Sequence, residues 1–95
     1  MKIPKTLKIG GHIYKIIIRN KRIKDADTRL GSVDVYANHI FINRDGIQAQ
    51  SQQESTLLHE IIEAISELNK LKFAEEQICI LETGLYQVLK DNKLI

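Results

Sequence analysis

The chain has one cysteine, one proline, five glycines and no tryptophan in 95 residues, and no apolar run nears the roughly 18 residues of a membrane-spanning helix. A single thiol excludes an internal disulfide, so packing must hold the fold. So little proline and glycine argues against a disordered or low-complexity chain. With neither an N-terminal apolar core of the secretory kind nor a membrane span in the sequence, the protein is expected in the cytoplasm with no membrane partner. Cys79 lies in Ile78-Cys79-Ile80-Leu81, an apolar setting in which a cysteine is expected to act as a small hydrophobe.

What is present suits one small domain spanning residues 1–95. Hydrophobic residues make up 43% and charged residues 27%, ordinary for a globular chain that buries one core. The net charge of +2 conceals an asymmetry. Residues 1–46 hold ten Lys or Arg against four Asp, and residues 47–95 hold four Lys against seven Glu and one Asp, so the halves carry +6 and −4.

The first half, 1–46, reads as antiparallel sheet. Leu7 and Ile9 alternate with Thr6 and Lys8, and Gly10-Gly11 follows, two residues free to take the positive φ angles of a type I′ hairpin turn. The next strand runs over 12–19, with Tyr14, Ile16 and Ile18 on one face and Ile13, Lys15, Ile17 and Arg19 on the other, both faces apolar enough to be at least partly covered. Residues 20–29 are polar except for Ala26 and Ile23 and read as an exposed loop or hairpin end. Strands over 30–36 and 39–43 follow, turning at Ala37-Asn38, and Arg44-Asp45-Gly46 closes the sheet region.

The second half, 47–95, reads as two helices. Ser51-Gln52-Gln53-Glu54 matches a capping box, which starts a helix over about 52–68. Its stripe of Leu57, Leu58, Ile61, Ile62, Ile65 and Leu68 is wide enough to imply burial along much of the helix surface. A short link over 69–73 precedes a second stripe of Ile78, Leu81, Leu85, Val88 and Leu89, and so short a link predicts an antiparallel neighbour. The fold class is therefore α+β: a small antiparallel sheet, then two antiparallel helices packed on one of its faces.

The chemistry concentrates in His59-Glu60-Ile61-Ile62-Glu63. On a helix, positions i and i+4 stand one turn apart on one face, so His59 and Glu63 can grip one metal ion with Glu60 beside them. This is one letter from the H-E-x-x-H helix of zinc peptidases. A third carboxylate is expected from the second helix. Folding the pair about residue 71 levels Glu82 with 59–63, and Glu82 shares a stripe with Ile78, Leu85 and Leu89, an odd place for a charge with no partner. Glu75 lies on the same stripe, and both stay open as candidates.

The run Leu57 through Ile65 together with Gly84-Leu85-Tyr86-Gln87-Val88-Leu89-Lys90-Asp91-Asn92 resembles the small zincin-type proteins of phages and prophages, similar to minimal gluzincin and ImmA/IrrE-type metallopeptidases. The likeness covers most of the chain. It implies a zincin-like fold and a zinc ion held by both histidines of the motif and by a glutamate of the following helix, with the motif glutamate as general base. Carried over, His59 is the first ligand, Glu60 the base and Glu75 or Glu82 the third ligand, Glu75 because 75–78 resembles the helix start that bears the glutamate in larger relatives. Glu63 stands where the second histidine belongs. Zinc accepts carboxylate oxygen, but two carboxylates neutralise the ion and weaken its acidifying power. The expected function is that of a degenerate zinc metallopeptidase-like protein, weak or inactive as a peptidase.

Two other classes stand beside it. A non-catalytic interaction domain would keep the shape and bind a peptide or protein partner, or a second copy of itself, through the apolar helix pair. The cations Lys15, Arg19, Lys21, Arg22, Lys24 and Arg29 could track a phosphate backbone, although no helix-turn-helix, zinc-finger or RNP-like pattern accompanies them and Asp25 and Asp27 interrupt the run. His12 and His39 each follow a turn and are expected as exposed strand-end residues. By analogy with zincins, 39–43 is the expected edge for pairing with a peptide. In the blandest case Glu60, Glu63 and Glu67 form a solvated acidic face.

Overall fold

The computed structural model describes residues 2–19, 30–43 and 49–95. Over these the chain runs β1 (Thr6–Ile9), β2 (His12–Arg19), β3 (Gly31–Asp34), β4 (His39–Asn43), α1 (Gln50–Leu68) and α2 (Glu75–Asp91). Strand precedes helix throughout, as the change of apolar period from 2 to 3.6 predicts. The expected loop over 20–29, with Lys21, Arg22, Lys24 and Arg29, and the turn at 44–46 lie outside the described residues.

Gly10 and Gly11 take φ of +57° and +82°, and the hairpin they close pairs Leu7 with Tyr14 and Ile9 with His12. The β3–β4 hairpin turns through 35–38. There Asp34 Oδ1 accepts from the amides of Tyr36 and Ala37, and Asn38 adopts a φ of +56°, the left-handed conformation that Asn tolerates better than most residues. This longer turn ends β3 at Asp34 rather than at residue 36.

The sheet is mixed rather than wholly antiparallel. Its order is β1-β2-β4-β3, and β2 pairs parallel with β4, Ile16 opposite Ile40 and Ile18 opposite Ile42. The second hairpin has docked by its second strand. Composition explains the choice: Ile40-Phe41-Ile42 is apolar on both faces, which suits an interior strand, whereas Gly31, Ser32 and Asp34 suit an edge.

Tyr14, Ile16, Ile40 and Ile42 join Ile9 on the inner face and pack with Leu57 and Ala64 of α1 in one core. Truncating a side chain as buried as Leu57, 2% exposed, costs about 2–5 kcal/mol. The outer face is partly covered: Ile13 is 61% exposed, while Ile17, Arg19 and Phe41 are half-buried and Asn43 is buried. At its far end the Arg19 guanidinium lies 4.1 Å from the Phe41 ring centroid while Nε donates to Asn43 Oδ1 at 2.8 Å, tying the ends of the parallel pair together.

Only α1 packs on the sheet. α2 packs on α1 and meets no strand among the described residues, so the layers run sheet, α1, α2 rather than sheet and helix pair. Of the expected stripe of α1 only Leu57 is buried, Leu58, Ile61 and Ile62 are half-buried, and Ile65 and Leu68 are exposed at 43% and 37%. Polar residues such as Glu54, Thr56 and Glu60 take much of the buried surface instead. The layering leaves the apolar stripe of α2 mostly uncovered: Ile78 is buried, while Leu81, Leu85 and Val88 are between 43% and 47% exposed.

The helix ends differ from the expected capping box. α1 begins at Gln50 with Ala49 as its N-cap, so Ser51 and Glu54 lie inside the helix. Glu54 is 2% exposed and faces α2, where Tyr86 Oη donates to Oε1 at 3.0 Å and Lys90 Nζ at 3.3 Å. Burial alone pushes this carboxyl up, but the hydrogen bonds from Tyr86, Lys90 and Gln50 and the Lys90 charge hold it below the ordinary carboxylate range. A lowered carboxyl contributes stability above its unfolded value and loses it as pH falls through the folded one. Glu54→Gln is expected to cost about 1.5–3 kcal/mol at neutral pH and to flatten the acid limb of the stability profile. Denaturant unfolding at neutral and acidic pH measures both.

Candidate metal centre in the helix cleft

His59 stands near the middle of α1 and points at α2. Its two ring nitrogens meet different carboxylates: Nδ1 lies 3.1 Å from Glu82 Oε1, and Nε2 lies 2.9 Å from Glu75 Oε1. Both glutamates proposed from the sequence therefore reach the histidine, on opposite sides of the ring. Ser55, one turn before His59, donates its hydroxyl to the other oxygen of Glu82. Glu82 thus meets Ser55 with one oxygen and His59 Nδ1 with the other, which orients the ring and turns Nε2 toward the cleft.

On the Nε2 side, Glu63 Oε2 lies 4.0 Å from His59 and one helical turn along α1. Cys79, one turn after Glu75 on α2, places Sγ 3.9 Å from Glu75 Oε1. His59, Glu75 and Cys79 offer donor atoms all within 4.8 Å of one another, and so do His59, Glu60 and Glu63. Cys79 is exposed, contrary to the expectation of a small core hydrophobe: the helix turns Ile78 inward and Cys79 toward the cleft. Burial first, then the carboxylates of Glu75 and Glu82, push its thiol above the ordinary value.

The cleft encloses about 860 Å³, and among the described residues its lining includes Glu60, Glu63, Glu67, Glu75 and Glu82 but no Lys or Arg. The acidic residues are not one solvated face. Glu60 is 3% exposed, Glu63 is half-buried and Glu67 is exposed. The opposite wall is β3, through Leu30, Gly31, Ser32 and Val33. The edge strand is therefore β3, while β4, the expected peptide edge, is paired on both sides. A hairpin that docks by its second strand exchanges the two roles.

His12 and His39 take no part in this lining. His12 is exposed, and His39 packs edge-on against Phe41 with ring centroids 5.8 Å apart. Sequence reasoning overlooked Ser55, Cys79 and Gly31. Only Ser55 carried a local signal, standing four residues before His59 on the face that meets α2.

Gly31 sets the width of the cleft floor. A Cβ there would lie 2.6 Å from Thr56 Cγ2, 2.9 Å from the Phe41 carbonyl oxygen and 3.1 Å from Glu60 Oε2. The carbonyl belongs to the sheet and cannot yield, so α1 must. Gly31→Ala is expected to destabilise the fold by about 1–3 kcal/mol, read from the denaturation midpoint, and to displace Glu60.

Among the described residues no helix is long and apolar enough to cross a membrane. Set against protein-family models, curated proteins and solved structures, the chain finds no match in any of the three.

Proposed function

We propose that this chain is a zincin-type metal-binding protein, a degenerate relative of small phage metallopeptidases, in which a divalent cation is held at His59 Nε2 with Glu63 and Glu75 and peptide hydrolysis is weak or absent. One observation carries the reading: the two nitrogens of His59 are divided between a carboxylate anchored by Ser55 and a cleft where further carboxylates converge. If both contacts are hydrogen bonds, the ring needs two N–H groups. If a cation sits in the cleft, it needs only Nδ1–H, and the Nε2 lone pair faces the ion, the arrangement common to metal-bound histidines.

The donor set fits such an ion. One imidazole and two carboxylates are acceptable to zinc, and a cleft with five carboxylates and no Lys or Arg among the described residues of its lining favours any divalent cation by charge. This separates the roles of the two glutamates left open by the sequence: Glu75 is the ligand, and Glu82 orients His59 from behind. Zinc bound there supplies Lewis acidity toward a carbonyl group. Glu60, buried on the sheet side of the cleft, is placed to accept a proton as general base. A peptide or protein partner would lie along the β3 edge, pairing its backbone with Gly31–Asp34. The cytoplasm is the compartment this reading assigns. Against nucleic-acid binding, Arg19 already engages Phe41 and Asn43.

Calorimetric titration of chelator-treated protein with zinc tests the reading. One equivalent should bind, and His59→Ala should abolish binding. Glu63→His should tighten it by about tenfold or more, equivalent to at least 1.4 kcal/mol, because it restores the second imidazole at unchanged helical spacing. Glu60→Gln should remove any residual peptide hydrolysis without removing the metal. Absence of zinc binding by the wild-type chain would end the metal reading in favour of a metal-free interaction domain.

A further inference from the structure

The departure at Glu63 leaves a zinc site with one nitrogen donor, and the structure places a sulfur donor beside it. Glu75 and Cys79 stand four residues apart on α2, as His59 and Glu63 do on α1. The helices run antiparallel, since Glu54 meets Tyr86 and Lys90 while His59 meets Glu75. Two i, i+4 pairs, one on each of two antiparallel helices, can converge on one ion between them, as in the metal sites of helix bundles.

We propose that Cys79 is itself a metal ligand, completing with His59 Nε2, Glu63 and Glu75 a closed four-donor site for a thiophilic divalent cation such as zinc. The inference rests on the metal-binding reading above and specifies the ligand set of that site. The distances suit three of the four donors, while Glu63 Oε2 stands 4.0 Å from His59 Nε2 and groups with Glu60 rather than with Glu75 and Cys79. The donor atoms of His59, Glu75 and Cys79 lie within 4.8 Å of one another, whereas bonds of about 2.0–2.3 Å to a tetrahedral zinc separate ligands by about 3.3–3.8 Å. Glu75 Oε1 already lies 2.9 Å from His59 Nε2 and 3.9 Å from Cys79 Sγ, so the remaining adjustment of roughly 1 Å falls between His59 and the exposed Cys79.

Two consequences follow from the chemistry of the set. A thiolate selects zinc or cobalt over magnesium and calcium, which an imidazole with carboxylates alone would also admit. Four protein donors leave no open position on the ion, the mark of a structural site rather than a hydrolytic one. A closed shell thus accounts for weak or absent peptidase activity, and it joins α1 to α2 across the cleft.

Cobalt(II) titration of the full-length, reduced, metal-free chain tests the assignment, because a cobalt–thiolate bond has a charge-transfer absorption in the near ultraviolet that oxygen and nitrogen ligands lack. One equivalent of cobalt should produce this band together with the intense visible bands of four-coordinate cobalt. Cys79→Ser should abolish the near-ultraviolet band and weaken zinc binding by about tenfold or more. Cys79 is exposed, so the substitution should leave the far-ultraviolet circular dichroism unchanged. As a second readout on the unmutated protein, stoichiometric zinc should protect the thiol from maleimide alkylation. The chain has a single cysteine, so no other thiol contributes to the signal. Cobalt binding without the thiolate band, or wild-type zinc affinity in Cys79→Ser, would overturn the role of Cys79 and leave the metal site standing. Absence of cobalt and zinc binding in the wild-type chain would overturn both.

Discussion

Among the described residues α2 attaches through α1 alone, and that is the constraint on which the site depends. Helices in small domains are commonly held by an apolar seam, yet here Ile78 is the one buried apolar residue of α2. The rest of the seam is polar and layered along α1: Glu54 with Tyr86 and Lys90, Ser55 and His59 with Glu82, and His59 with Glu75. Each layer is directional, so it fixes the rotation of α2 about its axis as an oily interface would not. That rotation brings Glu75, Cys79 and Glu82 round to one histidine.

The same seam concentrates negative charge. Two carboxylates about 4 Å apart repel by about 4 kcal/mol at the effective dielectric of a protein surface, and the cleft contains five. One of them is accommodated locally: Glu82 is bonded to Ser55 and His59. Glu60 is buried beside Gly31 and Thr56 on the sheet side, where burial adds to the cost of a charge. Glu63, Glu67 and Glu75 line the same cleft, and no Lys or Arg stands beside them among the described residues of its lining. Protons or a cation can relieve that repulsion, and a cation does so while making bonds.

Much of the fold was legible because local chemistry determined it. The Gly10-Gly11 turn and the alternation about Tyr14 and Ile16 locate β1 and β2 to the residue, and the span of β4 follows in the same way. The sheet order was not legible from the turns, since a hairpin can dock by either strand. The evidence lay in composition, in the apolar faces of Ile40-Phe41-Ile42 against the polar Ser32 and Asp34. The capping box at Ser51 misled for a different reason. Glu54 satisfies the pattern, but a tertiary partnership with Tyr86 and Lys90 claims its carboxylate. His59, Glu60 and Glu63 were visible in the site because they share one helix. The division between Glu75 and Glu82 was not, because it depends on how the link over 69–74 sets one helix against the other. That link runs through Lys70 and Lys72 in left-handed conformations, with φ of +54° and +56°, where glycine would have marked the turn.

With the proposed ligand set, His59 and Glu63 on α1 and Glu75 and Cys79 on α2, ion binding in the cleft and docking of α2 would be one equilibrium. When α2 swings away, half of the donors leave with it, so the apparent affinity for an ion is the intrinsic affinity scaled by the docked fraction. The linkage also runs the other way. An ion that binds only the docked form stabilises it by RT ln(1 + [L]/Kd), about 2.7 kcal/mol at a hundredfold excess over Kd. That is comparable to the contribution of the whole Glu54 clamp and large against the stability of a small domain. The polar seam therefore carries two roles through the same side chains. Among the described residues it orients α2 without help from the sheet, and under the proposed ligand set it would make the hold of α2 on the domain responsive to a bound cation.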